Sequence, residues 1–385
     1  MKHIVLLGAA LLTACAATPP PLPEPPFPPA GLDAEISRLM TDEDVKGLAV
    51  AIIDQGEPVY VDSFGYRNVE RGEALETDTI MYGASLTKSA VAYTVLTLVD
   101  EGLMDLDTPL AEYLAKPLPD YEDWTDLADQ PRWKTLTARH VLNHTTGFHN
   151  FRWLEDDKKL RFHRDPGTRY GYSGEGFYIL QQAVEELTGE DLGKLMQARL
   201  FGPAKLTDTD MEWRDAFADK LADGYGWGGT FEPHDARSRP SAAGSMDTSI
   251  ADQAKLWSWM VKGEGLSDEA RREWTRQQFP ITSAHQFPPQ DPTDDPRTQD
   301  INLSAGLGLV TFTGPQGHTF FKGGHNPWTG NMVICVEASE RCVVFLANSV
   351  RAERIYPDLA QFILGDTGMP WWWEYNGEHY KRTQD

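Results

Sequence analysis

One predicted helix places a serine and a lysine on the same buried face, and this pair restricts the fold of the chain more than any other feature. Residues 89–100 are apolar or neutral at helical spacing and precede Glu101-Gly102, a pattern typical of a buried helix and its end. Ser85 and Lys88 stand three residues apart at its start, so their side chains share one face. Free backbone N–H groups there favour a negatively charged oxygen, and burial favours a neutral, proton-accepting lysine. The pair indicates a serine nucleophile beside a base, although a capping serine followed by a surface lysine fits the same spacing.

Two further segments carry polar residues of matching chemistry. Residues 165–177 form a Pro- and Gly-rich loop containing Tyr172-Ser173-Gly174, followed by another apolar helix. Residues 320–327 contain Lys322-Gly323-Gly324-His325 and extend a probable strand at 318–321. The order Ser-x-x-Lys, Tyr-Ser loop and Lys-Gly-Gly strand resembles the class C β-lactamase-like family of penicillin-recognising serine hydrolases. That family also holds D-alanyl-D-alanine carboxypeptidases, D-aminopeptidases and family VIII carboxylesterases.

The resemblance extends over most of the chain, from about residue 34 to 365. Segments 136–148, 242–248 and 306–309 also resemble stretches of the family. It implies an α+β fold of the β-lactamase/transpeptidase type: an antiparallel sheet flanked by N- and C-terminal helices, plus a mostly helical subdomain at about 85–300. Hydrophobic periodicity predicts the individual elements. The strands are a hairpin of 48–53 with 59–66 and segments near 306–312, 318–322, 331–337 and 342–348, and the helices are 32–43 and 351–364.

The resemblance assigns roles to the polar residues. Ser85 is expected to form an acyl-enzyme, and Tyr172 matches the family's loop tyrosine, which takes the serine proton. Neither tyrosine nor lysine is a base at neutral pH without help, because their ordinary pKa values are about 10 and 10.4. The cations of Lys88 and Lys322 favour a Tyr172 phenolate, whereas burial opposes both charges. Whether Lys88 or Tyr172 is the base stays open at this point.

The same resemblance implies an oxyanion hole and a substrate-binding strand. The two donors of the oxyanion hole would be the backbone N–H groups of Ser85 and His325. Gly323 and Gly324 would let a substrate lie against the strand edge, beside Lys322.

One departure from the family pattern bears on the substrate. Relatives that act on peptides and β-lactams usually read Tyr-x-Asn in the loop, and the Asn amide grips the substrate's amide carbonyl. Gly174 stands at that position here, so recognition of amides should weaken more than hydrolysis in general. We therefore expect an esterase-like hydrolase of small esters or amides, with Trp328 as a possible wall of the acyl pocket. The alternatives are a D-alanyl-D-alanine carboxypeptidase or class C-like β-lactamase, and an inactive protein that binds peptidoglycan or a partner.

The N-terminus predicts export and a lipid anchor. Residues 1–14 combine a short positive start with a nine-residue apolar run, which is too short to span a bilayer and typical of a signal peptide. Residues 12–15 resemble a bacterial lipobox, which implies diacylation of Cys15 and a periplasmic protein anchored to the outer membrane of a Gram-negative bacterium; ordinary signal cleavage is the alternative. Residues 15–31 form a proline-rich linker to the hydrolase domain, residues 32–368.

The chain is strongly acidic, contains three cysteines and ends in an aromatic tail. A net charge of −23 argues against nucleic-acid partners. Cys335 and Cys342 lie on two strand-like runs about a short turn, so a cross-strand disulfide and two reduced core cysteines are both open. His140 and His144 have metal-ligand spacing, but we expect structural roles for them, no metal and no cofactor. The aromatic tail, 369–385, should pack on the domain, with sugar or lipid binding as the alternative.

Overall fold

The computed structural model describes residues 27–375. Its centre is a nine-stranded antiparallel sheet in the order β3-β2-β1-β13-β12-β11-β10-β9-β8. The strands are β1 Gly47–Asp54, β2 Glu57–Asn68, β3 Glu73–Ala74, β4 Met81–Tyr82, β5 Gly224–Tyr225, β6 Phe231–Glu232, β7 Asp247–Thr248, β8 Phe279–Pro280, β9 Ser304–Ala305, β10 Val310–Gly314, β11 Gly317–Asn326, β12 Thr329–Val336 and β13 Arg341–Ala347. The pairs β4–β7 and β5–β6 form two small separate sheets.

Most helices lie between β3 and β10 in the chain. The α-helices are α1 Leu32–Asp42, α2 Leu86–Asp100, α3 Ala138–Leu142, α4 Glu175–Thr188, α5 Leu192–Met196, α6 Ile250–Lys262, α7 Asp268–Thr275, α8 Arg297–Asp300, α9 Tyr356–Leu364 and α10 Trp371–Glu374. Short 3₁₀ segments occur at Leu110–Glu112, Leu118–Asp120, Glu122–Leu127, Pro131–Thr135, Arg152–Leu154, Asp215–Lys220, Glu337–Ser339 and Val350–Arg354, and a π-helical turn at Gln197–Phe201. None of the helices within 27–375 is long and apolar enough to cross a membrane.

The central strands are buried on both faces, so each contributes to two separate cores. In β1, Ala49 and Ala51 face the core formed with α2 and α6, whereas Leu48 and Val50 face the core formed with α1 and α9. This alternation follows from the two-residue period of a strand. The sheet is therefore a layer between two sets of helices, and β11, next to the middle strand β12, carries the Lys-Gly-Gly segment.

The architecture confirms the α+β fold predicted from the sequence, with local differences at two element boundaries. The strand expected at 306–312 begins only at Val310, because residues 306–309 bend with Gly308 in the left-handed region. The helix expected at 351–364 is α-helical only from Tyr356, since Val350–Arg354 is a 3₁₀ turn.

The two cysteines and the described part of the C-terminal tail, residues 369–375, both pack against the main fold. Cys335 and Cys342 are directly paired across β12 and β13 and form a disulfide. In the tail, Trp373 is fully buried and its Nε1 donates to the carbonyl oxygen of Ser283. Residues 1–26, including the predicted signal peptide, Cys15 and most of the linker, and residues 376–385 of the tail lie outside the described part.

Candidate active site

Ser85 is presented by a sharp turn between β4 and α2. Ala84, immediately before it, has a left-handed φ of 47°, which is unusual for a residue with a side chain. Gly83 fixes the turn, because its N–H donates to the carbonyl oxygen of Met246 at 2.8 Å. Ser85 then serves as the N-cap of α2 without using its side chain as a cap. Its hydroxyl is therefore left available to other groups.

Lys88 lies beside Ser85, one turn further along α2. Its Nζ lies 3.1 Å from Ser85 Oγ and also donates to the carbonyl oxygen of Ala243. The side chain is fully buried. Burial lowers the pKa of Lys88 well below its usual value, and the charge of Lys322 lowers it further. The arrangement favours a neutral amine next to the serine hydroxyl.

Tyr172 completes a cluster of three polar groups around Ser85. Its phenol hydrogen-bonds with Ser85 and accepts from Lys322 Nζ at 3.3 Å. Its ring stacks on the buried His144, with centroids 4.3 Å apart. Burial raises the pKa of the Tyr172 phenol well above its usual value, and the hydrogen bond with Ser85 only partly opposes this. Of the two effects anticipated from the sequence, desolvation sets the direction of the pKa shift of Tyr172.

Strand β11 brings Lys322 and its two glycines against the start of α2. Burial lowers the pKa of Lys322 to about 8, a shift that the charge of Glu374 opposes. A Cβ added to Gly324 would lie 3.0 Å from the backbone nitrogen of Ser85, tighter than nearly all real contacts. Gly324 thus allows the strand to approach the serine backbone closely. His325, the next residue, lines the cleft, and its Nδ1 lies 3.5 Å from Glu353 Oε1.

The cleft at Ser85 has a volume of about 260 Å³ and mixed walls. Its lining residues are Ser85, Asn150, Phe151, Tyr172, Gln286, Phe287, Lys322, Gly323, His325 and Glu374. Phe151 is stacked on the exposed Trp153, with centroids 4.1 Å apart. Phe287 makes edge contacts with the rings of Tyr172 and His325. Apolar aromatic surface therefore flanks the polar cluster.

Gly174 lies behind this wall, at the N-cap of α4. A Cβ at this position would overlap the Phe151 ring, so Phe151 occupies the space that a side chain at 174 would need. The Gly174 N–H donates to two oxygens of Asn150, the backbone carbonyl oxygen and, at 3.0 Å, the side-chain Oδ1. Asn150 itself lines the cleft, and among residues 27–375 its Nδ2 donates to no protein group. The cleft therefore has an Asn carboxamide, but Asn150 supplies it and not the residue at position 174, where the family usually has Asn.

Several residues of the cleft were missed by sequence reasoning. Gln286 and Phe287 begin a Pro/Asp-rich segment that reads as a surface loop, and no periodic pattern marks them. Glu374 comes from the aromatic tail, where it is buried and accepts a hydrogen bond from Gln286 Nε2. An acidic residue between Trp373 and Tyr375 was the available signal, because a carboxylate in an apolar helix needs a partner.

Trp328 and Arg169 do not line the cleft. Trp328, expected as a wall of the acyl pocket, instead lines a separate cavity of about 520 Å³, where it contacts Gly224. That displacement arises because the β11–β12 turn carries it past His325. Arg169 bonds to Asp294 at 2.7 Å and ties the tyrosine loop to the 282–294 segment. The part of the chain that the structure describes holds no group of three His, Cys, Asp or Glu side chains able to bind a metal ion.

Comparisons with known proteins place this geometry in a family. Residues 32–366 match the family model described as Beta-lactamase. Penicillin-binding protein 4 of Amycolatopsis lactamdurans is 30% identical over 47% of this chain and 49% of its own length. A lovastatin esterase of Penicillium rubens is 28% identical over 46% of this chain and 52% of its own. The chain spans about half the length of the curated relatives it matches.

A solved structure shows the same fold at low identity. D-alanine carboxypeptidase AmpC from Burkholderia cenocepacia superposes with a TM-score of 0.68 at 19% identity, covering 87% of this chain and 97% of that one. The family model covers nearly all of the described residues, and the sequence resemblance is confirmed. The chain therefore belongs to the β-lactamase family of serine hydrolases.

Proposed function

We propose that this protein hydrolyses small esters through an acyl-enzyme on Ser85. The observation that carries the proposal is the convergence of four groups from three distant segments. Lys88 Nζ lies 3.1 Å from Ser85 Oγ, the phenol of Tyr172 bonds to the same serine, and Lys322 Nζ lies 3.3 Å from that phenol. Such a set supplies a nucleophile, a base and a proton relay within hydrogen-bonding reach.

The directions of the pKa shifts support Lys88 as the base. A depressed pKa makes the Lys88 amine neutral and able to accept the Ser85 proton as Oγ bonds to the ester carbonyl carbon. The raised pKa of Tyr172 keeps its phenol protonated, so it can pass a proton to the leaving alkoxide and be reprotonated from Lys88. The carbonyl oxygen becomes negative in this step and would be bound by the N–H groups of Ser85 and His325. Water then attacks the acyl carbon while the neutral Lys88 amine accepts its proton, and Lys88 returns this proton to Ser85 Oγ as the carboxylic acid leaves.

The aromatic wall supports esters with apolar groups as substrates. Phe151 fills the space beside Gly174, and Phe287 also lines the cleft. A substrate that contacts these rings gains apolar burial at about 25 cal/mol per Å². The 28% identical relative named lovastatin esterase fits the same proposal.

Asn150 supports a second candidate, hydrolysis of amides or peptides. Its Oδ1 is held by the Gly174 N–H, which leaves its Nδ2 as a donor at the cleft wall. A donor of this kind is able to bind a substrate carbonyl, so Asn150 compensates in part for the missing side chain at 174. D-alanine carboxypeptidase activity, as named for the structural neighbour, and β-lactamase activity are the members of this class to test.

A fluorophosphonate probe and a substrate panel test the proposal together. We expect the probe to label the wild-type protein and Ser37→Ala, an exposed serine control, but not Ser85→Ala. Turnover of short-chain 4-nitrophenyl esters without cleavage of nitrocefin or D-Ala-D-Ala peptides supports the esterase. The reverse pattern supports the second candidate. A folded wild-type protein that takes no label contradicts both and indicates a binding protein without activity.

We also propose that the enzyme works in the periplasm, attached to the outer membrane through Cys15. The signal-like residues 1–14, the lipobox-like residues 12–15 and the proline-rich spacer support this location. Metabolic labelling with a palmitate analogue should mark the wild-type chain and not Cys15→Ala. Recovery of unlabelled wild-type protein in the soluble periplasmic fraction would contradict the anchor.

A further inference from the structure

The cleft contains a carboxylate for which the acyl-transfer steps have no use. Glu374 belongs to α10 in the C-terminal tail and reaches the cleft next to Lys322 and Gly323. Only 5% of its surface is exposed. Of the described residues that line the cleft, it is the one acidic side chain.

Contacts on several sides hold Glu374 in place. Gln286 Nε2 donates to its Oε2, and the helix is anchored by the buried Trp373. On the strand side, a Cβ at Gly323 would overlap Glu374 Oε1. The carboxylate therefore occupies the space that a side chain at position 323 would fill. A glycine, an amide and an anchored helix therefore fix the position of the Glu374 carboxyl group in the cleft.

The titratable groups that interact with Glu374 differ in charge. Lys322 is the cation that interacts with it, and this attraction opposes the shift that burial imposes on the pKa of Lys322. Burial raises the pKa of Glu374, while Lys322 and the Gln286 amide oppose that rise. The other titratable groups that sense its charge are Tyr170, Tyr172 and the buried Glu353. In a buried site such interactions are screened far less than at the surface.

We propose that Glu374 is an internal counter-ion of Lys322 that makes the cleft select uncharged substrates over substrates bearing a carboxylate. An unpaired Lys322 would attract an anionic group of the substrate. With Glu374 beside it, an incoming carboxylate meets a fixed negative charge and gains little from the lysine. The inference rests on the proposed ester hydrolysis and specifies its substrate class.

A matched pair of esters measures this selectivity directly. The 4-nitrophenyl ester of glutaric acid is an anion at pH 7, and its methyl ester analogue is neutral but nearly the same size. We expect the wild-type enzyme to favour the neutral ester at least tenfold in kcat/KM. We expect Glu374→Gln, which retains an acceptor for Gln286, to raise the ratio of anionic to neutral kcat/KM at least tenfold. Glu374→Asp should stay close to the wild-type ratio, because it keeps the charge.

Two controls separate this effect from packing and from the overall charge. Trp372→Phe changes a half-buried ring of the same helix, one that lies against the Arg297 guanidinium, and leaves both Glu374 and the Trp373 anchor in place, so it should not change the substrate ratio. The net charge of −23 also repels anions, but that repulsion falls between 50 and 500 mM salt, whereas the buried contribution persists.

The outcomes are distinct from those that test the hydrolase itself. Equal use of both esters by the wild-type enzyme, or an unchanged ratio in a folded Glu374→Gln, overturns the inference while ester hydrolysis stands. If Glu374→Gln does not fold, the test is the ratio of the two kcat/KM values of the wild-type enzyme at 500 mM salt. A preference for the neutral ester that persists supports a buried charge, and loss of that preference overturns the inference. Absence of turnover on both esters overturns the proposed hydrolysis and this inference with it.

Discussion

Replacing Lys88 by methionine removes the proposed base while keeping an unbranched side chain of similar length. The amine lies 3.1 Å from Ser85 Oγ, and its loss leaves the serine proton without its neutral acceptor. Loss of a positioned general base typically lowers the rate about 10²–10⁴-fold, which corresponds to about 2.7–5.4 kcal/mol of transition-state stabilisation. We expect kcat/KM on a short-chain 4-nitrophenyl ester to fall by this amount. Lys159→Met, an exposed lysine control, should retain wild-type activity.

The same substitution should change how stability depends on pH. Because the pKa of Lys88 is lower in the folded protein than in the unfolded chain, the unfolded chain binds more protons between the two values. The wild-type free energy of unfolding therefore rises with pH across that interval, by about 1.4 kcal/mol for each pKa unit of the shift. Lys88→Met loses this rise. The variant also leaves the Ala243 carbonyl without its donor, but that cost does not vary with pH.

Urea denaturation at pH 7 and pH 10 checks the stability part, and stopped-flow acylation checks the rate part. The free energy of unfolding of Lys88→Met minus that of wild type should be larger at pH 7 than at pH 10. A folded variant within tenfold of wild-type kcat/KM, or a stability difference that is the same at both pH values, would refute the assignment of Lys88 as a buried neutral base.

Three further predictions concern the phenol, the glycine of the tyrosine loop and the disulfide. Tyr172→Phe should lower kcat/KM about 10²-fold while keeping the stack on His144, since only the hydroxyl is lost; ester turnover near wild-type rates would exclude the proton relay. Gly174→Asn should lower the free energy of unfolding by about 1–3 kcal/mol through overlap with Phe151, and adding Phe151→Ala should restore it, as measured by urea denaturation; equal stability of Gly174→Asn and wild type would contradict this packing. Joint replacement of Cys335 and Cys342 by serine should cost about 2.5 kcal/mol from loop closure over their sequence separation of 7, with an equal loss in reduced wild type; no change in either sample would mean the thiols are unpaired.

Features encoded by local patterns were predictable from the sequence. The helix after Ser85, the 48–66 hairpin and the antiparallel C-terminal strands follow from periodicity within a few residues, and the structure has them. The bend at 306–309 was missed because the segment is apolar and strand-like, whereas the path is set by a tertiary contact. A Cβ at Gly308 would lie 2.6 Å from the carbonyl oxygen of Lys88, so the backbone passes directly against α2.

The walls of the cleft were less accessible to sequence reasoning. Asn150, Gln286 and Glu374 come from three segments separated by more than eighty residues, and none lies in a periodic pattern. Their convergence depends on how the loop, the Pro/Asp-rich segment and the tail pack against β11. Trp328 shows the opposite error, because proximity to His325 in the chain does not place its side chain in the same cavity. Site residues could be predicted where they belong to a motif of known spacing. They could not be predicted where only tertiary packing brings distant segments together.

The division of β1 between two cores limits which changes in length this protein tolerates. Ala49 and Ala51 leave room for helices on one face, whereas Leu48 and Val50 fill the other. Deleting one residue inside the strand would exchange the two sets for every position beyond the deletion, opening voids on one side and steric overlap on the other. New substrate ranges should therefore arise through insertions and deletions in the segments around Asn150 and Gln286, while the sheet keeps a constant residue count.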